Sequence, residues 1–68
     1  MLRHFNERYP GWVTKTEGYS FERAQEVQQT VRKNMEATKG IKEIKVEVKP
    51  LGNGKFYVLN TSTYESEY

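Results

Sequence analysis

One histidine, His4, is followed three residues later by Glu7, and the chain contains neither cysteine nor aspartate. On a helical turn that spacing sets an imidazole and a carboxylate side by side. A tetrahedral metal site needs at least three protein ligands, so none is expected. Nucleophilic catalysis requires a hydroxyl or thiol beside a base that a third group orients. His4 stands next to a terminus, where such orientation is hard to hold. Glu43 and Glu47 would share one strand face, but an acid and base pair needs a pocket that separates the two pKa values. A hairpin face open to water provides none. Gly52-Asn53-Gly54 lacks the following helix N-terminus that completes a phosphate cradle, and reads as a hairpin turn. No enzyme, metal or cofactor is expected.

Two binding constellations remain. Phe5, Tyr9 and Trp12 bracket Pro10-Gly11, with Arg3 and Arg8 interleaved. Aromatic residues and arginine dominate protein interfaces because they bury large areas at low rotamer cost. Phe5 and Trp12 would also finish a small core. The second constellation is Lys45, Lys49 and Lys55 with Phe56 and Tyr64. On one hairpin face these would stack bases and neutralise phosphates, as sheet platforms for single strands do. Glu43 and Glu47 stand in the same field and would repel a phosphate backbone.

These residues must be positioned by few elements. Leu2, Phe5 and Tyr9 at i, i+3 and i+7 suggest a short N-terminal helical turn, stopped by Pro10-Gly11. Residues 12–16 alternate and are rich in β-formers, which predicts a strand ending at Gly18. Ser20 is a good N-cap, and Phe21, Ala24, Val27, Val31 and Met35 recur at spacings of three and four along one helical stripe. Lys39 near the last turn and Gly40 at C′ complete the predicted stop. Ile44, Val46 and Val48 then alternate with Lys45, Glu47 and Lys49.

A two-residue type I′ turn at Asn53-Gly54 would pair Val48 with Leu59, Val46 with Thr61 and Ile44 with Thr63. Those residues and Tyr57 would form the core face. Lys45, Glu47, Lys49, Leu51, Phe56, Val58, Asn60 and Tyr64 would form the outer one. Pro50 complicates this register, because it cannot donate in the ladder and favours an edge strand or a wider loop.

The expected fold is therefore α+β: one small domain over residues 1–68. One long helix packs on a small antiparallel sheet in strand-helix-strand-strand order, after a short N-terminal helical turn. Val13 to Gly18, the helix with Ala24, and Phe56-Tyr57-Val58 resemble in their order the peptidoglycan-binding SPOR domain. That resemblance implies glycan binding. It departs from the SPOR pattern where Asn60-Thr61-Ser62 replaces the closing Gly-Pro-Phe element, and no export signal accompanies it.

Composition bounds the rest. Sixty-eight residues with a 35% hydrophobic share build a core worth only about 3–5 kcal/mol. Small chains without disulfides or metals often borrow apolar surface, so a homodimer or docking on a larger protein is expected. Eleven Lys or Arg against nine Glu leave a net charge of +2, with the signs interleaved and no polybasic arm. No apolar run approaches the ~20 residues that span a bilayer. A cytoplasmic protein-binding module is expected, of the kind found among phage and mobile-element inhibitors and small regulators. It would act by steric contact through Arg3, Phe5, Arg8, Tyr9 and Trp12. Single-stranded nucleic-acid binding through the outer hairpin face is the alternative.

Overall fold

The computed structural model describes residues 1–10 and 18–66. Strands β1 (Leu2–His4) and β2 (Glu7–Tyr9) come first, then helix α1 (Phe21–Ala37). Strands β3 (Ile41–Glu43), β4 (Val46–Gly52), β5 (Lys55–Asn60) and β6 (Thr63–Glu65) follow. They form two three-stranded antiparallel sheets, ordered β2-β5-β4 and β1-β6-β3. The same three chain segments build both sheets, each segment being interrupted once. The α+β class is as expected, but two sheets replace the single strand-helix-strand-strand sheet, and the N-terminal segment is extended and not a helical turn. Its backbone pairs with β6 and β5 in a ladder, which satisfies more backbone groups than a single isolated turn can. The strand predicted at 12–16 lies outside the described residues.

Helix α1 lies over β4 and β5. Ser20 is its N-cap, the hydroxyl oxygen accepting from the Arg23 amide at 3.3 Å. Ala24, Val31 and Met35 of the predicted stripe are buried together with Val46 and Val58. Val27 is half-buried, whereas Phe21 is 51% exposed and meets Phe56 edge-on at 5.1 Å. The helix stops at Ala37, earlier than Gly40 suggests. Thr38 turns extended and donates its amide to the Met35 carbonyl, while its hydroxyl donates to the Asn34 carbonyl at 2.7 Å. No basic residue stands in the last turn, so Lys39 does not serve the helix end. Gly40, at φ +87°, turns the chain into β3.

The hairpin corrects the expected register. Asn53 and Gly54 both have positive φ, 55° and 72°, as a type I′ turn requires, and Gly52 pairs with Lys55 as the arithmetic predicts. Leu51 is then an extra residue in β4. Beyond it Pro50 pairs with Phe56, Val48 with Val58, and Val46 with Asn60. A shift of one residue sends every side chain of β5 to the other face. Phe56, Val58 and Asn60 therefore lie under the helix, and Tyr57 and Leu59 face outward. Pro50 sits on edge strand β4, where its missing N–H costs the ladder least. The Gln28 side-chain amide donates to the Val46 carbonyl at 2.8 Å and ties the helix to this edge strand.

All three segments break at one level, and a buried polar cluster joins the two sheets there. Asn60 and Ser62 are fully buried. The Asn60 amide donates to Glu7 Oε1 at 2.8 Å, and Ser62 Oγ accepts from the Lys45 amide at 3.0 Å. Phe5 N–H donates to the Ser62 carbonyl, and Thr61 N–H to the Lys45 carbonyl, each at 2.8 Å. Beyond this level the sheet β1-β6-β3 extends the molecule to 41 × 20 × 13 Å.

Candidate functional site

Because Val46, Val48, Val58 and Asn60 point to the helix, alternation places their neighbours on the opposite face of sheet β2-β5-β4. No element among the described residues covers that face. Leu59 stands at its centre, with Arg8 beside it on β2 and Glu47 beside it on β4. One step along, Lys49 stands beside Tyr57. Tyr57, Leu59, Glu47 and Lys49 are half-buried and Arg8 is exposed.

Glu47 is shared by two lysines. Its Oε2 lies 2.8 Å from Lys49 Nζ and its Oε1 3.7 Å from Lys45 Nζ. The hydrogen bond and charge of Lys49 hold the Glu47 carboxyl below its ordinary value, with Lys45 adding to the effect. Glu47 in turn raises the Lys49 ammonium above its ordinary range. The face thus has an apolar and aromatic middle within a rim of both charges. Chemically it offers contact area and charge pairing.

The residues singled out for protein binding do not form one patch. Arg3 is exposed on β1 beside Tyr64, and Arg8 lies on the outer face of the other sheet. Phe5 is half-buried, stacks obliquely on Tyr64 at 4.8 Å and packs against the core. Tyr9 points under the helix beside Val58 and also packs on the core. Burial, followed by the Glu7 carboxylate, pushes its hydroxyl above the ordinary tyrosine value. Trp12 lies outside the described residues.

The nucleic-acid set divides as well. Lys45 and Lys49 flank Glu47, and Lys55 is exposed at the hairpin end. Phe56 lies on the helix side, and Tyr64 belongs to the other sheet. Tyr57 and Leu59, which centre the outer face, escaped the sequence reading because the Leu51 bulge inverts β5. The one signal for it was Pro50 next to that residue.

The remaining chemical pairs are also apart. His4 is exposed on β1, while Glu7 is half-buried on β2 and holds Asn60. Glu43 and Glu47 belong to different strands. No group of three His, Cys, Asp or Glu able to hold a metal occurs among the described residues. An open depression is lined by Leu2, Arg3, His4 and Tyr64, and another lies between Gln29, Arg32, Lys33 and Glu36 on the helix. No helix among the described residues is long and apolar enough to cross a membrane. Comparison with known protein families, curated proteins and solved structures finds no match to this chain.

Proposed function

We propose that this chain is a small protein-binding module that works by contact through the outer face of sheet β2-β5-β4. The observation that carries the reading is the arrangement of that face: Leu59 and Tyr57 in the middle, Arg8, Lys45, Glu47 and Lys49 around them. Protein interfaces combine an apolar or aromatic centre with a polar rim, and pairs of opposite charge across the rim select the partner. A module of this kind regulates its partner sterically, by occupying a surface.

Single-stranded nucleic acid is the second reading, carried by Arg8, Lys45 and Lys49 beside the Tyr57 ring. Glu47 weighs against it, since it already neutralises lysine charge at the place where phosphates would run.

A photo-crosslinking amino acid at position 57, compared with one at position 33 on the helix, tests the choice in a bacterial lysate. Adducts to protein from position 57 alone, unaffected by nuclease and lost when Leu59→Asp is added, are expected. Adducts that nuclease removes would transfer the function to nucleic acid. Adducts of equal yield from both positions would overturn the face as the site.

A further inference from the structure

The outer face has a property that bears on what it binds: it is complementary to itself. Arg8, Leu59 and Glu47 stand in one row across β2, β5 and β4. Adjacent strands are about 4.8 Å apart, so the positive and negative ends of the row lie about equally far from Leu59. Consider two copies laid face to face about a two-fold axis running along β5. The operation keeps each level and exchanges the two edge strands. Arg8 then lies over the partner's Glu47, Glu47 lies over the partner's Arg8, and Leu59 and Tyr57 meet their own copies.

The neighbouring levels fit the same operation. Lys45 and Lys49 fall over the partner's β2 segment at the levels next to Arg8. The residues adjoining in register there, Asn6 and Pro10, carry no charge. No like charges stand directly opposite one another at these levels, while Lys45 and Lys49 lie diagonal to the partner's Arg8 and share the Glu47 carboxylate with it. A two-fold axis across the strands would instead set Arg8 over the partner's Arg8, so the charge pattern also selects the orientation.

The broad side of the whole molecule measures 41 × 20 Å, and sheet β2-β5-β4 takes up only part of it. A dimer on this face is therefore a modest one, below the roughly 800 Å² per partner of a standard interface. Among the described residues only five apolar side chains are buried, and covering Leu59 and Tyr57 twice over adds apolar burial that a small chain needs. We infer that the partner of this face is a second copy of the chain, in an isologous dimer held by paired Arg8–Glu47 contacts around Leu59 and Tyr57. This rests on the protein-binding reading of the same face.

The test is sedimentation equilibrium over a concentration series at low salt, with the fold of each variant checked by thermal melting. The wild type is expected to show a concentration-dependent dimer. Arg8→Glu and Glu47→Arg each place like charges together twice per dimer, and each should weaken self-association about tenfold or more. Mixing the two single variants should restore a dimer, because one supplies only negative ends and the other only positive ones. The double variant R8E/E47R should self-associate again, which also controls for any loss of folding in a single variant.

A wild type that stays monomeric throughout would overturn the inference, as would a dimer indifferent to both single changes or a mixture that fails to associate. The crosslinking separates the two conclusions. Leu59-dependent adducts to a different protein from a monomeric chain would leave the binding face standing and remove only the second copy as its partner.

Discussion

Asn60 accepts two hydrogen bonds from Ser62 at one oxygen, from the hydroxyl at 2.7 Å and from the backbone amide at 3.1 Å. Both residues are fully buried, and the pair sits where all three strand segments break. The other half of the Asn60 amide donates to Glu7 and, more weakly, to Met35 Sδ at 3.5 Å. No buried side-chain polar atom among the described residues lacks a partner. A closed buried network of this kind specifies one arrangement, because every alternative leaves a polar group unsatisfied.

Asn60→Asp is therefore expected to destabilise strongly at neutral pH, by about 3 kcal/mol. It replaces the donor to Glu7 by an acceptor and sets two carboxylates 2.8 Å apart. Such a carboxyl would have a raised folded-state pKa, so the defect should be small at acid pH and grow as pH rises. Thermal melts of the variant and the wild type between pH 3 and 7, taken about a unit apart, check both sign and window. A constant difference across that range would show that shape alone, and not charge, is at fault.

Gly18 should not tolerate a side chain. Its φ is +130°, and an added Cβ would come within 3.1 Å of Leu51 Cδ2, Lys55 Cβ and the Phe56 carbonyl oxygen. Gly18→Ala is expected to cost about 1–3 kcal/mol and to loosen the Tyr19–Phe56 bridge, whose two backbone hydrogen bonds are each 2.8 Å. Faster amide exchange at Tyr19 and Phe56, with little change in the middle of β5, would be the signature.

Tyr9 predicts an alkaline limit. Its pKa is raised in the folded state, chiefly by burial and then by Glu7. The stability it contributes is full below the ordinary value of 10.0 and is lost as pH rises through the folded value. Tyr9→Phe should be less stable than wild type at neutral pH by about 1 kcal/mol, with the gap closing above pH 10. Chemical denaturation at neutral and alkaline pH measures the gap directly, and a gap that widened with pH would refute the assignment.

Glu47 makes the opposite forecast at the acid end. Its carboxyl lies below the ordinary 4.5 because Lys49, and less so Lys45, favour the charged form. Its contribution is present above that ordinary value and disappears as pH falls through the lowered one. NMR titration of the side-chain carboxyl should show the low value at low salt, its return toward normal in Lys49→Met, and partial return at high salt. An unchanged titration in that variant would mean the ion pair is absent in solution.

Much of the fold was legible in local pattern. Ser20 and the stripe from Ala24 to Met35 define the helix because capping and amphipathic spacing are short-range matters. Asn53-Gly54 defines the turn type, since both positions need positive φ. The helix end was less legible: Gly40 is a common stop, but Thr38 satisfies the last carbonyls first. The N-terminal segment misled because Leu2, Phe5 and Tyr9 happen to keep a helical spacing across two short strands. Only pairing with β6 and β5, 49 to 63 residues away in sequence, makes those strands.

The candidate site shows the same division more sharply. Composition alone, with one histidine, no cysteine and no aspartate, removed the usual metal and catalytic constellations from expectation. It also supplied the residues of a contact surface. Which of them share a face was decided by tertiary structure, through the single extra residue Leu51. A register shift of one costs little locally, yet it turns Phe56, Val58 and Asn60 inward and Tyr57 and Leu59 outward. The choice follows from what the helix and strands bury together: Val58 fills the core, and Asn60 finds Glu7, Met35 and Ser62 there. No local pattern contains Glu7 or Met35 as partners of Asn60, because they stand 53 and 25 residues away in the chain.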